Sequence, residues 1–182
     1  MWKKIECAVI ACVLCLVGAA VTAAAESSTA AKEMAKPERI ELVLVLDKSG
    51  SMAGLESDTI GGFNAMIEKQ KALAIPVRVT AVLFNDELDV LYTHKDIRYV
   101  RPLTAKEYEV GGTTALLDAV GNTILRVERE PAVTREGTKV IFVIITDGME
   151  NASTEFSKMK IKEMISDKQE MEGWDFIYLG AN

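Results

Sequence analysis

Cysteine and histidine are scarce in this chain of 182 residues. It has three cysteines, all between Cys7 and Cys15, and one histidine, His94. A single histidine excludes zinc sites built from several histidines. It also makes any Ser–His or Cys–His catalytic arrangement depend on one residue. His94 follows a predicted strand in a polar stretch, and we expect it to lie on the surface.

The chain also lacks an excess of positive charge. It has 21 basic and 27 acidic residues, which gives a formal net charge of −6. Nucleic-acid binding proteins neutralise phosphates with many lysines and arginines, and their affinity depends on that charge. We therefore expect no nucleic-acid partner for this protein.

Long hydrophobic runs are few, and the longest lies at the N-terminus. Lys3 and Lys4 precede an apolar stretch that ends in alanines 23–25, the layout of a secretory signal with a cleavage site. We interpret residues 1–25 as a signal peptide. An uncleaved anchor is an alternative, because an apolar stretch of about 20 residues is long enough to span a bilayer. Lipidation at Cys12 is a third, less favoured interpretation.

Export has consequences for the rest of the chain. Cleavage after Ala25 would remove every cysteine, so the mature protein would have neither disulfides nor thiol chemistry. Without Lys3, Lys4 and Glu6 the chain has 19 basic and 26 acidic residues, net −7. We expect a secreted, periplasmic or cell-envelope protein that touches the membrane only if the N-terminal segment is retained. Residues 26–37 are predicted to be a linker and residues 38–182 a domain.

Apolar runs and amphipathic stretches alternate from Ile40 onward, which predicts alternating strands and helices. We predict strands at 40–46, 77–84, 88–93, 139–146 and 174–179, and helices at 57–73, 114–129 and 154–170. The first and fourth strands are continuously apolar, as expected for strands buried on both faces. The pattern predicts an α/β fold, namely a Rossmann-like, doubly wound, mostly parallel sheet with helices on both faces.

Polar side chains follow the first and fourth predicted strands and open the second helix. They are Asp47, Ser49 and Ser51 in "DKSGS", Thr113 and Thr114 in "GGTTALLDA", and Asp147 in "TDGMEN". With right-handed crossovers the first and fourth strands lie side by side, so these groups meet at the carboxyl edge of the sheet. Each motif alone is common in turns and helix caps. The combination, each member at the matching end of its element, indicates a site.

The residue types in these motifs indicate a hard cation as the ligand. Carboxylate and hydroxyl oxygens are the donors that Mg²⁺, Ca²⁺ and Mn²⁺ prefer. Hydroxyls are neutral, so an ion held largely by them keeps its attraction for a further anion. Mg²⁺ also keeps exchangeable waters, which leaves a position open to a carboxylate from another molecule. We expect Mg²⁺, with Ca²⁺ or Mn²⁺ as alternatives.

The segments "DKSGSM", "GGTTALLDAV" and "IITDGMENAS" resemble the von Willebrand factor type A domain and its metal-ion-dependent adhesion site. The closing "GWDFIYLGAN" is similar to the bacterial branch of that family. The resemblance implies a non-enzymatic adhesion module, and the N-terminal segment implies that it is exported. We expect it to bind an Asp or Glu of a protein partner through the cation. The metal ligands that the resemblance implies are Asp47, Ser49, Ser51, Thr114 and Asp147. Thr114 is preferred because it directly precedes "ALLDA", and Thr113 is the alternative. Glu150 and Asn151 are expected at the rim of the site.

The sequence departs from the family pattern at its end. The resemblance implies a further helix after the last strand, whereas the chain stops at Asn182. We therefore expect an apolar sheet face without its covering helix, and with it self-association.

Two other functions are compatible with parts of the pattern. A Mg²⁺-dependent phosphatase or hydrolase would use Asp47 as its nucleophile. Phosphatases of the haloacid dehalogenase type, however, have a second acid two residues later, where this chain has Ser49. The other alternative is a truncated structural remnant that binds no metal.

Overall fold

A five-stranded sheet organises the part of the chain that this computed structural model describes, residues 37–180. The predicted signal peptide and all but the last residue of the predicted linker lie outside the described residues. None of the helices within 37–180 combines the length and the apolar composition needed to cross a membrane.

The elements of residues 37–180 follow the predicted alternation. The strands are β1 (Arg39–Asp47), β2 (Val77–Phe84), β3 (Leu88–Asp96), β4 (Thr138–Thr146) and β5 (Asp175–Gly180), and the α-helices are α1 (Glu56–Lys71), α2 (Leu116–Glu128) and α3 (Lys158–Glu172). The strand order is β3-β2-β1-β4-β5, with β3 antiparallel to β2 and the other neighbours parallel. The predicted α/β fold and the pairing of the first and fourth strands are confirmed.

Helices cover both faces of the sheet, which explains the uninterrupted apolar runs of β1 and β4. Leu42, Leu44 and Leu46 of β1 pack with α1 on one face. Val43 and Val45 pack with α2 and α3 on the other. All five side chains are fully buried. A strand with both faces buried is apolar at every position rather than at every second one.

Helix α3 begins at Lys158, four residues later than predicted. The amides of residues 154–156 donate to the carboxylate of Asp118 on α2 and so do not enter the helix. Ser157 then caps α3, its hydroxyl accepting a hydrogen bond from the Lys160 amide at 3.2 Å. The helix start is set by a distant carboxylate, which local sequence does not reveal.

On the α1 face, Ile141 and Val143 of β4 are buried, but three other aliphatic side chains of β4 and β5 are only partly covered. Ile145, Ile177 and Leu179 are half-buried at the edge of the α1-side core. The self-association predicted from the sequence is untested and stays a prediction. We expect the protein to sediment as a species larger than a monomer, and a purely monomeric profile at high concentration would contradict this.

His94 does not lie free on the surface as predicted. It is half-buried, and its Nδ1 lies 2.6 Å from Oε2 of Glu41, a β1 residue whose side chain is 1% exposed. Thr80 on β2 joins the pair, since its hydroxyl donates to Glu41 at 2.9 Å and accepts from the His94 amide at 3.0 Å. An irregularity in the β2–β3 pairing and a left-handed φ of 47° at His94 accompany this arrangement. Strand periodicity does not reveal such a bulge.

The buried Glu41 carboxyl predicts a pH-dependent stability. Burial raises the pKa of Glu41 above its usual value of 4.5, with Glu130 adding to the rise, although His94 and Thr80 act to lower it. A group with a raised folded-state pKa contributes stability that is fully present below the unfolded pKa and lost as pH rises through the folded pKa. We therefore expect Glu41→Gln, which removes the charge, to be more stable than the wild type at pH 8 by urea unfolding. The difference in free energy of unfolding between Glu41→Gln and the wild type should shrink towards pH 4.5.

Glu163→Gln is the matched control for this pH series. Glu163 is exposed on α3 and pairs with Lys160 at the surface. The stability of Glu163→Gln relative to the wild type should change little with pH, because ion pairs at the surface contribute little to the free energy of unfolding. If the stability difference between Glu41→Gln and the wild type is constant between pH 4.5 and pH 8, the buried Glu41 carboxyl does not titrate as described.

Candidate functional site

The carboxyl ends of β1 and β4 bring four of the five predicted ligands together. Asp47 ends β1, and Asp147 directly follows the last residue of the neighbouring β4. The Ser51 hydroxyl donates to Oδ1 of Asp147 at 2.8 Å, and the Ser49 and Ser51 hydroxyl oxygens lie 3.2 Å apart. The two motifs, separated by almost a hundred residues, thus form one polar cluster.

The surroundings of Gly148 locate the fifth predicted ligand. A Cβ atom placed on Gly148 would lie 3.0 Å from Oγ of Ser51, 3.0 Å from Oγ1 of Thr114 and 3.3 Å from Oδ2 of Asp47. Three oxygens from two segments, the "DKSGS" turn and the threonine loop, therefore border one small space, which the glycine leaves open. Thr114 is 3% exposed whereas Thr113 is exposed. The structure brings Thr114, rather than Thr113, to this space.

The Asp47 carboxylate is fully buried and held from two sides. Its Oδ1 accepts the Ser49 amide at 2.7 Å, and its Oδ2 accepts the hydroxyl of Thr146. The Tyr108 hydroxyl donates to the backbone carbonyl of Asp47. Burial raises the pKa of Tyr108 well above that of an ordinary phenol, with the nearby charge of Asp47 adding to the rise, so the hydroxyl remains a donor. Neither Thr146 nor Tyr108 was predicted from the sequence.

Two backbone hydrogen bonds join the threonine loop to the "DKSGS" turn. Gly50 donates its amide to the carbonyl of Gly112 at 3.1 Å, and Gly111 donates to the carbonyl of Lys48 at 2.8 Å. Gly112 has a φ of +76°, a conformation that other residues adopt only with strain. The double glycine before Thr114 is the sequence signal for this close approach.

Asn151 and Glu150, predicted at the rim, are hydrogen-bonded to Thr114 before α2 and to Leu117 in its first turn, respectively. The Asn151 side chain accepts the Thr114 amide at 2.9 Å, and the Asn151 amide donates to the Thr114 carbonyl at 3.1 Å. Glu150 is half-buried. Burial alone would raise its pKa, but hydrogen bonds from Ser153, Leu117 and Ala152 lower it below its usual range, so it is a carboxylate at neutral pH.

The donor chemistry of this cluster is compatible with a divalent cation. Within residues 37–180, no three side chains of the His, Cys, Asp and Glu types come close enough to form a metal site by themselves. The cluster instead combines two carboxylates with three hydroxyls. All of these donors are oxygens, as hard cations prefer.

The same geometry gives no support to the phosphatase alternative. A nucleophilic carboxylate must reach a substrate, whereas the Asp47 side chain is buried and both of its oxygens accept hydrogen bonds. Ser49 occupies the position where the second acid would stand.

The family model of the von Willebrand factor type A domain matches residues 41–180. The chain belongs to this family. The resemblance read from the three motifs is confirmed, and the family typically mediates adhesion between proteins. No curated protein sequence matches the chain.

Solved structures of the family share this fold at low sequence identity. The manganese-loaded TRAP protein of Plasmodium vivax superposes with a TM-score of 0.60 at 20% identity, covering 80% of this chain and 59% of that one. An aerotolerance-related membrane protein from Bacteroides fragilis gives 0.51 at 18% identity, covering 78% of this chain and 67% of that one. The von Willebrand factor domain of the pilus tip protein Mfa5 from Porphyromonas gingivalis superposes with a TM-score of 0.50 at 20% identity. The match covers 63% of this chain and 39% of that one.

The chain thus spans about three fifths of the TRAP structure and a smaller share of the Mfa5 structure. Similarity at these identities establishes the fold alone. The ligands of those proteins therefore do not transfer to this chain by similarity.

Proposed function

We propose that this protein is an exported adhesion module that binds an acidic group of a partner protein through a divalent cation, with Mg²⁺ the expected ion. The observation that carries the proposal is the space beside Gly148, bordered by oxygens of Asp47, Ser51 and Thr114. The adhesive role typical of the family and a manganese-loaded member support it.

Five side chains would hold the cation: Asp47, Ser49, Ser51, Thr114 and Asp147. Asp47 supplies buried negative charge, while Ser51 is exposed and Asp147 half-buried, so the site opens to solvent on their side. The Ser51 hydroxyl donates to Asp147 and lies near the Ser49 hydroxyl, which leaves Ser51 one lone pair for an ion. A bound divalent cation supplies an electrophilic centre with an exchangeable position for a carboxylate oxygen.

The overall charge limits how an acidic partner is attracted. The chain has a net charge of −6, so long-range electrostatics repel an anionic protein rather than steer it in. Affinity for a carboxylate must then come from the ion itself. We expect binding to be lost, and not merely slowed, when the cation is removed.

Export remains part of this proposal. The signal-like segment 1–25 and the linker 26–37 precede the domain, and relatives include a membrane protein and a pilus tip protein. We place the domain, residues 38–182, outside the cytoplasm as a secreted, periplasmic or envelope component.

Mg²⁺ is expected to raise the melting temperature of the purified full chain. A ligand at about 100 times its Kd stabilises the folded state by about 2.7 kcal/mol. For a domain of this size we expect a rise of roughly 5–10 °C over an EDTA-treated sample. Ser51→Ala should lose most of the rise, whereas Ser166→Ala on α3, remote from the site, should retain it. An unchanged melting curve for the wild type would overturn the metal proposal.

Carboxylate capture is tested separately with acetate as the probe. With Mn²⁺ bound, coordinated water exchanges with bulk water and increases the relaxation rate of water protons. We expect acetate to reduce this increase by displacing water, and acetamide, its neutral counterpart, to have no effect. Equal effects of the two compounds would contradict carboxylate binding at the ion.

A further inference from the structure

Asp118, in the first turn of α2, accepts hydrogen bonds from the segment that follows β4. Its Oδ2 accepts the amide of Thr154 at 2.7 Å, and its Oδ1 accepts those of Glu155 and Phe156 at 2.9 and 2.8 Å. Three backbone donors on one carboxylate fix the path of that segment relative to α2.

Glu150 makes the reciprocal connection, from the same segment back to α2. Its Oε2 accepts the amide of Leu117 at 2.9 Å and the hydroxyl of Ser153 at 2.7 Å. Its Oε1 accepts the amides of Ala152 and Ser153 at 3.0 and 2.7 Å. The Ser153 hydroxyl in turn accepts the amide of Asp118 at 3.1 Å. Leu117 and Asp118 lie in the first turn of α2, where amides have no partner within the helix and where negative charge is favourable.

We infer that Asp118 and Glu150 form a carboxylate clamp that positions Thr114 and Asp147 for the cation. The inference rests on the proposed function. Thr114 lies two residues before α2, and Asp147 lies three residues before Glu150. Asn151, the neighbour of Glu150 in the chain, makes two hydrogen bonds to the backbone of Thr114. The spacing of the threonine and aspartate oxygens is therefore set before any ion arrives.

The clamp can be weakened without removing the packing that joins the same elements. The ring of Phe156 lies so close to Gly121 on α2 that a Cβ there would meet it at 2.7 Å. Ile161 of α3 and Val120 and Ile124 of α2 share the same buried core. We therefore expect clamp variants to fold and to lose cation affinity.

The test compares Asp118→Asn and Glu150→Gln with the wild-type full chain. Each change replaces one accepting oxygen with an amide nitrogen, which cannot accept from a backbone amide. By calorimetric titration at 25 °C, we expect Mg²⁺ affinity to fall by at least about tenfold, as for other residues that orient metal ligands. In the metal-free protein, amides 154–156 should exchange faster with solvent in Asp118→Asn.

Asn122→Ala is the matched control. Asn122 on α2 donates to Glu155 at 2.8 Å across the same two segments, but at the surface. The Asn122→Ala variant should bind Mg²⁺ with the affinity of the wild type. Ser153→Ala is a milder variant that should weaken Mg²⁺ binding, and Ser153→Thr, which keeps the hydroxyl, should restore it.

The possible outcomes separate the inference from the proposed function. A wild type that binds Mg²⁺, with Asp118→Asn and Glu150→Gln folded and binding equally well, would overturn the clamp alone. A wild type that binds no Mg²⁺ would overturn the proposed function and the positioning role with it. Weaker binding in the clamp variants and unchanged binding in Asn122→Ala supports both.

Discussion

Gly148→Ala is expected to abolish cation binding and leave the fold intact. The added Cβ would lie 3.0 Å from the hydroxyl oxygens of Ser51 and Thr114, and 3.3 Å from the Asp47 carboxylate. It therefore fills the space that an ion would use and pushes its donors apart. Gly148 is not among the glycines with positive φ, so alanine introduces no backbone strain there. By titration calorimetry, we expect no measurable Mg²⁺ binding, a larger loss than the tenfold or so expected from losing a positioning contact.

Gly61→Ala is the control for this substitution. Gly61 lies in α1, and a Cβ there meets no atom within 4 Å. Alanine is favoured over glycine in a helix by about 1 kcal/mol, so the variant should be slightly more stable and should bind Mg²⁺ normally. Wild-type affinity in Gly148→Ala would show that the cation does not occupy this space.

Gly112→Ala is expected to be the most destabilising of the proposed substitutions. Gly112 has a φ of +76°, and a Cβ there would lie 2.0 Å from Oδ1 of Asp86. The left-handed conformation costs a non-glycine residue about 1–2 kcal/mol. The exposed Asp86 side chain must turn away from its preferred rotamer, which adds about 1 kcal/mol. We expect a loss of about 2–3 kcal/mol in the free energy of unfolding, measured with urea.

Two further variants separate the causes of this loss. Gly173 has a φ of +67° and open space around its Cβ, so Gly173→Ala should show the conformational cost alone, about 1 kcal/mol. Adding Asp86→Ala to Gly112→Ala removes the clash. The double variant should regain the part of the lost unfolding free energy that exceeds the conformational cost. If Gly112→Ala costs no more than Gly173→Ala, the tight contact with Asp86 does not exist.

The sequence was sufficient to predict the fold because its strongest patterns are local. β1 and β4 each contain an uninterrupted apolar run, residues 42–46 and 140–145, and the predicted limits of β2 agree with the structure. The polar residues that follow β1 and β4 were expected to meet because parallel strands place their carboxyl ends together. The metal role of Asp47, Ser49, Ser51, Thr114 and Asp147 stays a prediction.

The features that sequence reasoning missed depend on contacts between distant segments. Thr146 and Tyr108 hold Asp47 from other elements, and neither has a local pattern that predicts it. The bulge in β3 that accompanies the His94–Glu41 contact interrupts strand periodicity. In the sequence, Asp118 is indistinguishable from any acidic residue near a helix start. In the structure it accepts the amides of residues 154–156 and so sets where α3 begins.

The most direct test of the proposed cation site is the anomalous scattering of manganese in crystals of the full chain grown with Mn²⁺. The proposal predicts an anomalous peak within about 2–2.6 Å of oxygens of Asp47, Ser49, Ser51, Thr114 or Asp147. It also predicts that the peak is absent from crystals of Gly148→Ala grown in the same way. A fully occupied manganese site elsewhere with no peak beside Gly148, or no bound manganese at all, would contradict it.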